Sequence, residues 1–164
     1  MLTTAFKEWA AICEALAGGR QNLILRKGGI SEEGGVFRPE HDRFWLYPTH
    51  FHEQQHAGIK PEEQAWLLAA EASRPPSGTV RLSHVVEVTG VEYCKDLEEV
   101  LKLDAEHIWS EATVRQRFAY RTPGLYVLRV KVTRADAPVE IAERPEYAGC
   151  KTWVPLVAAD LGRE

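Results

Sequence analysis

The chain has 164 residues, 45% of them hydrophobic and 27% charged, the composition of a soluble globule long enough to bury a core. Its net charge is −4, from 20 basic and 24 acidic residues, so no global positive field draws in nucleic acid and any such binding must use a local patch. No apolar stretch is long enough to span a bilayer, and Cys13, Cys94 and Cys150, scattered with no C-x-x-C, argue against a disulfide framework or a cysteine-only zinc site.

In chain order, Phe6, Trp9, Ile12 and Leu16 recur at helical spacing, with Gly18-Gly19 as a stop, which predicts a first helix over 4–17. This N-terminal stretch has no basic region ahead of an apolar one, so it reads as an amphipathic helix rather than an export signal, and the cytoplasm is the expected compartment. Residues 22–27 read as a strand, "GGISEEGG" as a turn region, and "VFRPEHDRFWLYPT" as two short strands. Pro61 suits the first position of a helix through "PEEQAWLLAAEAS", and "RPPSG" is a loop too short to link domains. Alternation over 79–93 predicts a half-buried strand. Asp96 and Glu99 form a capping box, and Ser110 caps a helix through "EATVRQRFAY". "LYVLRVKVTRA", "PVEIAE" and "KTWVPL" are three further strands. Strands scattered among helices, without a repeated strand–helix unit, predict one α+β domain over 1–164. Its strands form a mixed sheet or a small, partly closed β-barrel with peripheral helices.

Four stretches carry candidate chemistry. "RKGGI" at 26–30 lacks the order of a nucleotide-binding phosphate loop, and a strand end entering a glycine turn explains it. The functional alternative has Arg26 and Lys27 supply charge while Gly28 and Gly29 let backbone N–H groups approach a phosphate. In "HDRFWLYPTHFHEQQH", His52, Glu53 and His56 match H-E-x-x-H, which on a helix binds zinc and supplies Glu53 as base; His41 or His84 would be the third ligand. A solvated histidine loop without metal is the simpler account of the same residues.

The third signal is aromatic. Alternation puts Phe44 and Leu46 on one face and Trp45 and Tyr47 on the other, the second pair being either core or a stacking platform for a base beside His50 and His52. In "RQRFAYR", Phe118 anchors the core while Arg115 and Arg117 form a solvated face or, with Lys151, a positive patch. Cys150, beside Lys151, is a packed thiol or a reactive one.

The stretches "AFKEWAAICEALAGGRQNLILRKGGI", "FWLYPTHFHEQQ", "IWSEATVRQRF", "LYVLRVKV" and "YAGCKTWVPL" together resemble the bacterial and archaeal family known as domain of unknown function 1802. That resemblance implies an association with restriction–modification and a nuclease partner. The chain itself shows no P-D…[DE]-x-K constellation, so the role implied is recognition rather than cutting. Where the family pattern has an aromatic and "HQ" after "PT", this chain has "PTHFHEQQ", whose Glu53 separates the histidine from the glutamine and creates the H-E-x-x-H match. The element order also resembles the pseudouridine-synthase-and-archaeosine-transglycosylase fold, a small barrel of RNA and modified-base readers.

The leading expectation is a non-catalytic reader of DNA or RNA using Arg26, Lys27, Gly28, Gly29, Trp45, Tyr47, His50, His52, Arg115, Arg117 and Lys151, with no cofactor. The alternatives are a zinc-dependent hydrolase built on His52, Glu53 and His56, and a protein–protein adaptor.

Overall fold

A computed structural model describes residues 1–50, 52–149 and 151–162, without the side chains of His52 and Glu53. The first expected element divides in two: Thr4–Trp9 is a strand, β1, and only Ala10–Ala17 forms a helix, α1. The helical spacing of Phe6 and Trp9 loses to tertiary pairing, because β1 is an inner strand. It runs parallel to β5 (Arg43–Thr49), with Phe6 opposite Leu46, and antiparallel to β8 (Trp153–Pro155), with Phe6 opposite Trp153. Both neighbours satisfy the β1 backbone, which a lone helical turn at that position would leave unpacked.

Helix α1 buries Ala10, Ala11, Ile12, Cys13, Ala15 and Leu16, small or branched side chains that let it lie close to the sheet. β2 (Leu23–Arg26) follows, then an antiparallel hairpin of β3 (Ile30–Glu33) and β4 (Val36–Pro39) where a plain turn was expected for the first arm. The segment after β5 holds α2 (His52–Gly58) and, beyond a 3-10 turn at Pro61–Glu63, α3 (Gln64–Ala72).

Two long strands then form a ribbon. β6 (Thr79–Cys94) and β7 (Leu125–Ala142) pair from Thr79 opposite Ala142 to Cys94 opposite Leu125. Between them lie α4 (Leu97–Leu101) and α5 (Glu111–Ala119). Ser110 accepts the Thr113 N–H as expected, whereas Asp96 caps α4 through the Glu98 N–H and Glu99 binds Lys102 instead of closing the expected box. The expected strands at 125–135 and 138–143 are one strand. Pro138, which has no N–H to donate, falls inside it at a bulge, where pairing jumps from Leu82–Val139 to His84–Arg134.

The result is a mixed six-stranded sheet in the order β2-β7-β6-β5-β1-β8, with no closed barrel. Alternation along β5 sorts its side chains as expected, Phe44 and Leu46 into the larger core, Trp45 and Tyr47 into a second one with Leu82, Ile141, Tyr147 and Val154. Both faces of β5 are therefore interior. Among the described residues no helix is long and apolar enough to cross a membrane.

One buried histidine ties stability to pH. His107, 1% exposed, is pushed down to about 4 by burial and, secondarily, by the Lys60 ammonium. Lys60 donates to the His107 carbonyl at 2.8 Å and pairs with Asp104, while the ring packs against Trp109 and its Nδ1 has no partner among the described residues. The folded state keeps this imidazole neutral where the unfolded chain protonates it. Its contribution is thus complete above the unfolded pKa of about 6.5 and is lost as pH falls from there towards 4. Urea unfolding should show a loss approaching about 3 kcal/mol across that window, and a His107→Gln variant should lack that part of the slope.

Candidate nucleic-acid interface

A cleft of about 1090 Å³ opens beside the second core. One wall is the C-terminal half of β1 and β5 with the start of α1; the opposite wall is the far half of the β6–β7 ribbon. The bulge puts the adjacent residues Ser83 and His84 both on this cleft, with Ser83 Oγ 2.9 Å from His84 Nδ1. The third side is the return segment 143–152, held by a compact network. Arg144 makes two bonds to Asp160 at 2.7 and 2.8 Å, and Tyr147 donates to Asp160 at 2.6 Å and accepts from the Val157 N–H at 2.9 Å. The Arg144 guanidinium holds the Asp160 carboxyl below its ordinary range.

In a chain of net charge −4, this cleft is lined by seven Lys and Arg against three Glu. Some of that charge is neutralised: Arg81 pairs with Glu140 at 2.8 Å and Arg74 with Glu71 at 4.0 Å. Other cations bond neutral groups and keep their field. Arg26 donates to Thr152 Oγ1 at 2.8 Å and lies 4.7 Å over the Phe6 ring; Lys151 donates to the Glu146 carbonyl at 2.7 Å. Burial lowers the pKa of both His50 and His84, helped by Arg74 and Arg134 respectively, and Tyr47 is raised to about 12 by burial and Glu143.

Arg26, Tyr47, His50 and Lys151 meet on this cleft. The other expected site residues whose side chains are described do not. Lys27 reaches the carbonyls of Phe118 and Gly124, each at 2.7 Å, and that of Thr122, so it binds the open C-terminal end of α5. Gly29 serves the turn reading of RKGGI: its φ is +81°, a Cβ there would stand 3.0 Å from Trp153 Nε1, and its carbonyl accepts that indole N–H. Gly28 faces open space. Trp45, 9% exposed, donates to the Leu2 carbonyl from within the second core and borders a separate, smaller hollow with Arg43 and Lys131 rather than this cleft. Arg115 pairs with Glu111 on the far surface. Arg117 is half-buried between Trp9 and Trp109, 4.9 and 5.1 Å from their rings, and donates to the Leu25 carbonyl.

The H-E-x-x-H stretch lies on α2, with His56 exposed; the side chains of His52 and Glu53, like Phe51 and Cys150, are outside the described residues. Its expected third ligands are engaged elsewhere, His41 against Trp153 and His84 with Ser83. Among the described residues no three His, Cys, Asp or Glu side chains gather as a metal site.

Lys7, Glu8, Arg134 and Arg144 line the cleft without having been singled out from sequence. Their signal was weak. A lysine and a glutamate in an expected amphipathic helix read as its wet face, whereas in β1 they sit between aromatic neighbours of an inner strand.

The fold defines the class. The chain is an α+β protein similar to the crystal structure of ASCH from Zymomonas mobilis, with a TM-score of 0.56 at 12% identity, covering 97% of this chain and 90% of that one. A serine-to-alanine and a tyrosine-to-phenylalanine mutant of that protein each give 0.55 at the same identity, covering 97% of this chain and 91% and 93% of theirs. The chain belongs to the family described as Domain of unknown function (DUF1802), whose model matches residues 5–163. No curated protein matches it by sequence.

Lys27 gives a separating test of structure against binding. Lys27→Met should lower unfolding free energy by ~1–3 kcal/mol through lost charge-assisted bonds to α5, read by urea denaturation. It should leave the cleft's ligand affinity within about twofold.

Proposed function

We propose that the protein is a non-catalytic binding domain for single-stranded nucleic acid, with the β1–β6 cleft as its site. The observation that carries this reading is the segregation of cations onto one concave surface of an acidic chain. Arg26, Arg134 and Lys151 would neutralise backbone phosphates, while His50, His84 and Tyr47 would shape the walls against a nucleotide. The shape favours single strands. Duplex readers insert a helix or ribbon into a groove, whereas a concave site takes in a base already unstacked. An accessory role beside a nuclease would rest on this same binding step.

The two histidines add a pH dependence of defined sign. Each is held neutral more firmly than a free imidazole, so each gains charge only as pH falls below its ordinary range. Gained charge on the cleft wall strengthens phosphate binding.

Fluorescence anisotropy with labelled single-stranded RNA and DNA decamers tests the proposal. For three neutralised phosphates, affinity should fall about 100-fold between low salt and a tenfold higher concentration. It should rise as pH is lowered from neutrality. Arg134→Glu and Lys151→Glu should each weaken binding several-fold, and Arg115→Glu, outside the cleft, should not. Folded protein that binds neither polymer at low salt would end this reading.

A further inference from the structure

Glu8 is the anomaly in the cleft. It is a carboxylate on an inner strand, 2% exposed, lining a surface rich in cations. Oε1 accepts the Trp9 N–H at 2.9 Å; Oε2 is buried and has no hydrogen-bond partner among the described residues. A buried carboxylate oxygen without a donor costs free energy, and such groups persist where a ligand completes them. The completing group is a cation or a hydrogen-bond donor, O–H or N–H.

A metal ion fits poorly. Arg26, Arg134 and Lys151 line the same cleft outside the Arg74, Arg81 and Arg144 ion pairs and repel it, and no other carboxylate or imidazole among the described residues joins Glu8 in a ligand cluster. An N–H donor carried by an anionic molecule fits both features, its phosphate meeting the cations and its donor meeting Oε2. A nucleotide has that construction.

We infer that Glu8 is a specificity-determining residue that selects guanine, the carboxylate accepting from the N1–H and N2–H of the base. This rests on the reading of the cleft as a single-strand site. The choice among bases follows from what a carboxylate can do, which is accept only. Guanine places two N–H donors side by side, matching two carboxylate oxygens, and Oε1 keeps a second lone-pair site beside its bond to Trp9. Adenine and cytosine set one amino group next to a ring-nitrogen acceptor, which the carboxylate repels. Uracil offers one N–H between two carbonyls. Reaching Oε2 requires rotamer shifts in the cleft wall, where the half-exposed Arg26 and Lys7 side chains would exchange their bonds to Thr152 and to the Gly149 carbonyl for contacts with the nucleotide.

The experiment uses the full chain and octamers of uridine carrying one central G, A, C or U, at low salt. The wild-type protein should bind the G octamer about 10-fold more tightly than the others. Guanosine monophosphate should compete better than inosine monophosphate, which lacks the N2 amino group. Glu8→Gln should abolish the preference for the G octamer and preserve the salt dependence; its melting temperature checks that it folds, and the inosine comparison stands without it. Equal binding of all four octamers with salt dependence intact would overturn the guanine assignment and leave the single-strand reading in place. Equal competition by the two monophosphates would overturn it too. Absence of any binding at low salt would remove both.

Discussion

The parallel pairing of β1 with β5, from Ala5 opposite Trp45 to Trp9 opposite Thr49, is the constraint on which the arrangement turns. It fixes which way each β1 side chain points. Ala5 enters the second core and Phe6 the first, where it stacks on Phe44 with ring centroids 5.0 Å apart. A register shift of one residue would exchange these faces and force the Phe6 ring into the second core, at the place of the Ala5 methyl. The same register carries Lys7 and Glu8 to the cleft and delivers the chain to the start of α1, so the sheet and the site share one determinant.

Charge is then distributed in two different ways. Away from the cleft, arginines and lysines are absorbed into the framework: Arg117 between two indoles, Arg129 with Glu106, Arg20 with Glu63 at 2.7 Å, Lys60 against the carbonyls around His107. At the cleft, Arg26 and Lys151 meet neutral oxygen atoms instead. A mildly acidic sequence can hold a locally positive concavity because most of its carboxylates lie outside it.

Local chemistry was the legible part of the sequence. The N-cap positions at Asp96 and Ser110 and the sorting of Phe44 from Trp45 depend on neighbours in the chain, and each reads correctly; the strand over residues 79–93 is also present, but its bulge sends Val80 and Leu82 to one core and Val86 to the other instead of to one face. What failed depends on partners far away. Phe6 and Trp9 keep helical spacing with Ile12 and Leu16, yet β5 and β8 claim the segment. Arg117 and Lys27 looked like solvent-facing cations because nothing local shows that Trp109 or the Gly124 carbonyl will come to meet them. Of the expected site, Arg26, Tyr47, His50 and Lys151 share the cleft; Trp45, two residues before Tyr47 on the same face of β5, borders a separate hollow instead.

The position of β1 also sets the order in which the molecule can assemble. Phe6 waits for Leu46 on one side and for Trp153 on the other, so this segment is enclosed only once both β5 and β8 are in place. The β6–β7 ribbon is nearer to self-sufficient, its strands joined through α4 and α5. Long-range closure of this kind is slow relative to hairpin formation. During that interval the N-terminal residues keep the spacing of an amphipathic helix, and the nascent chain can shelter its apolar stripe in that conformation before the sheet takes it up.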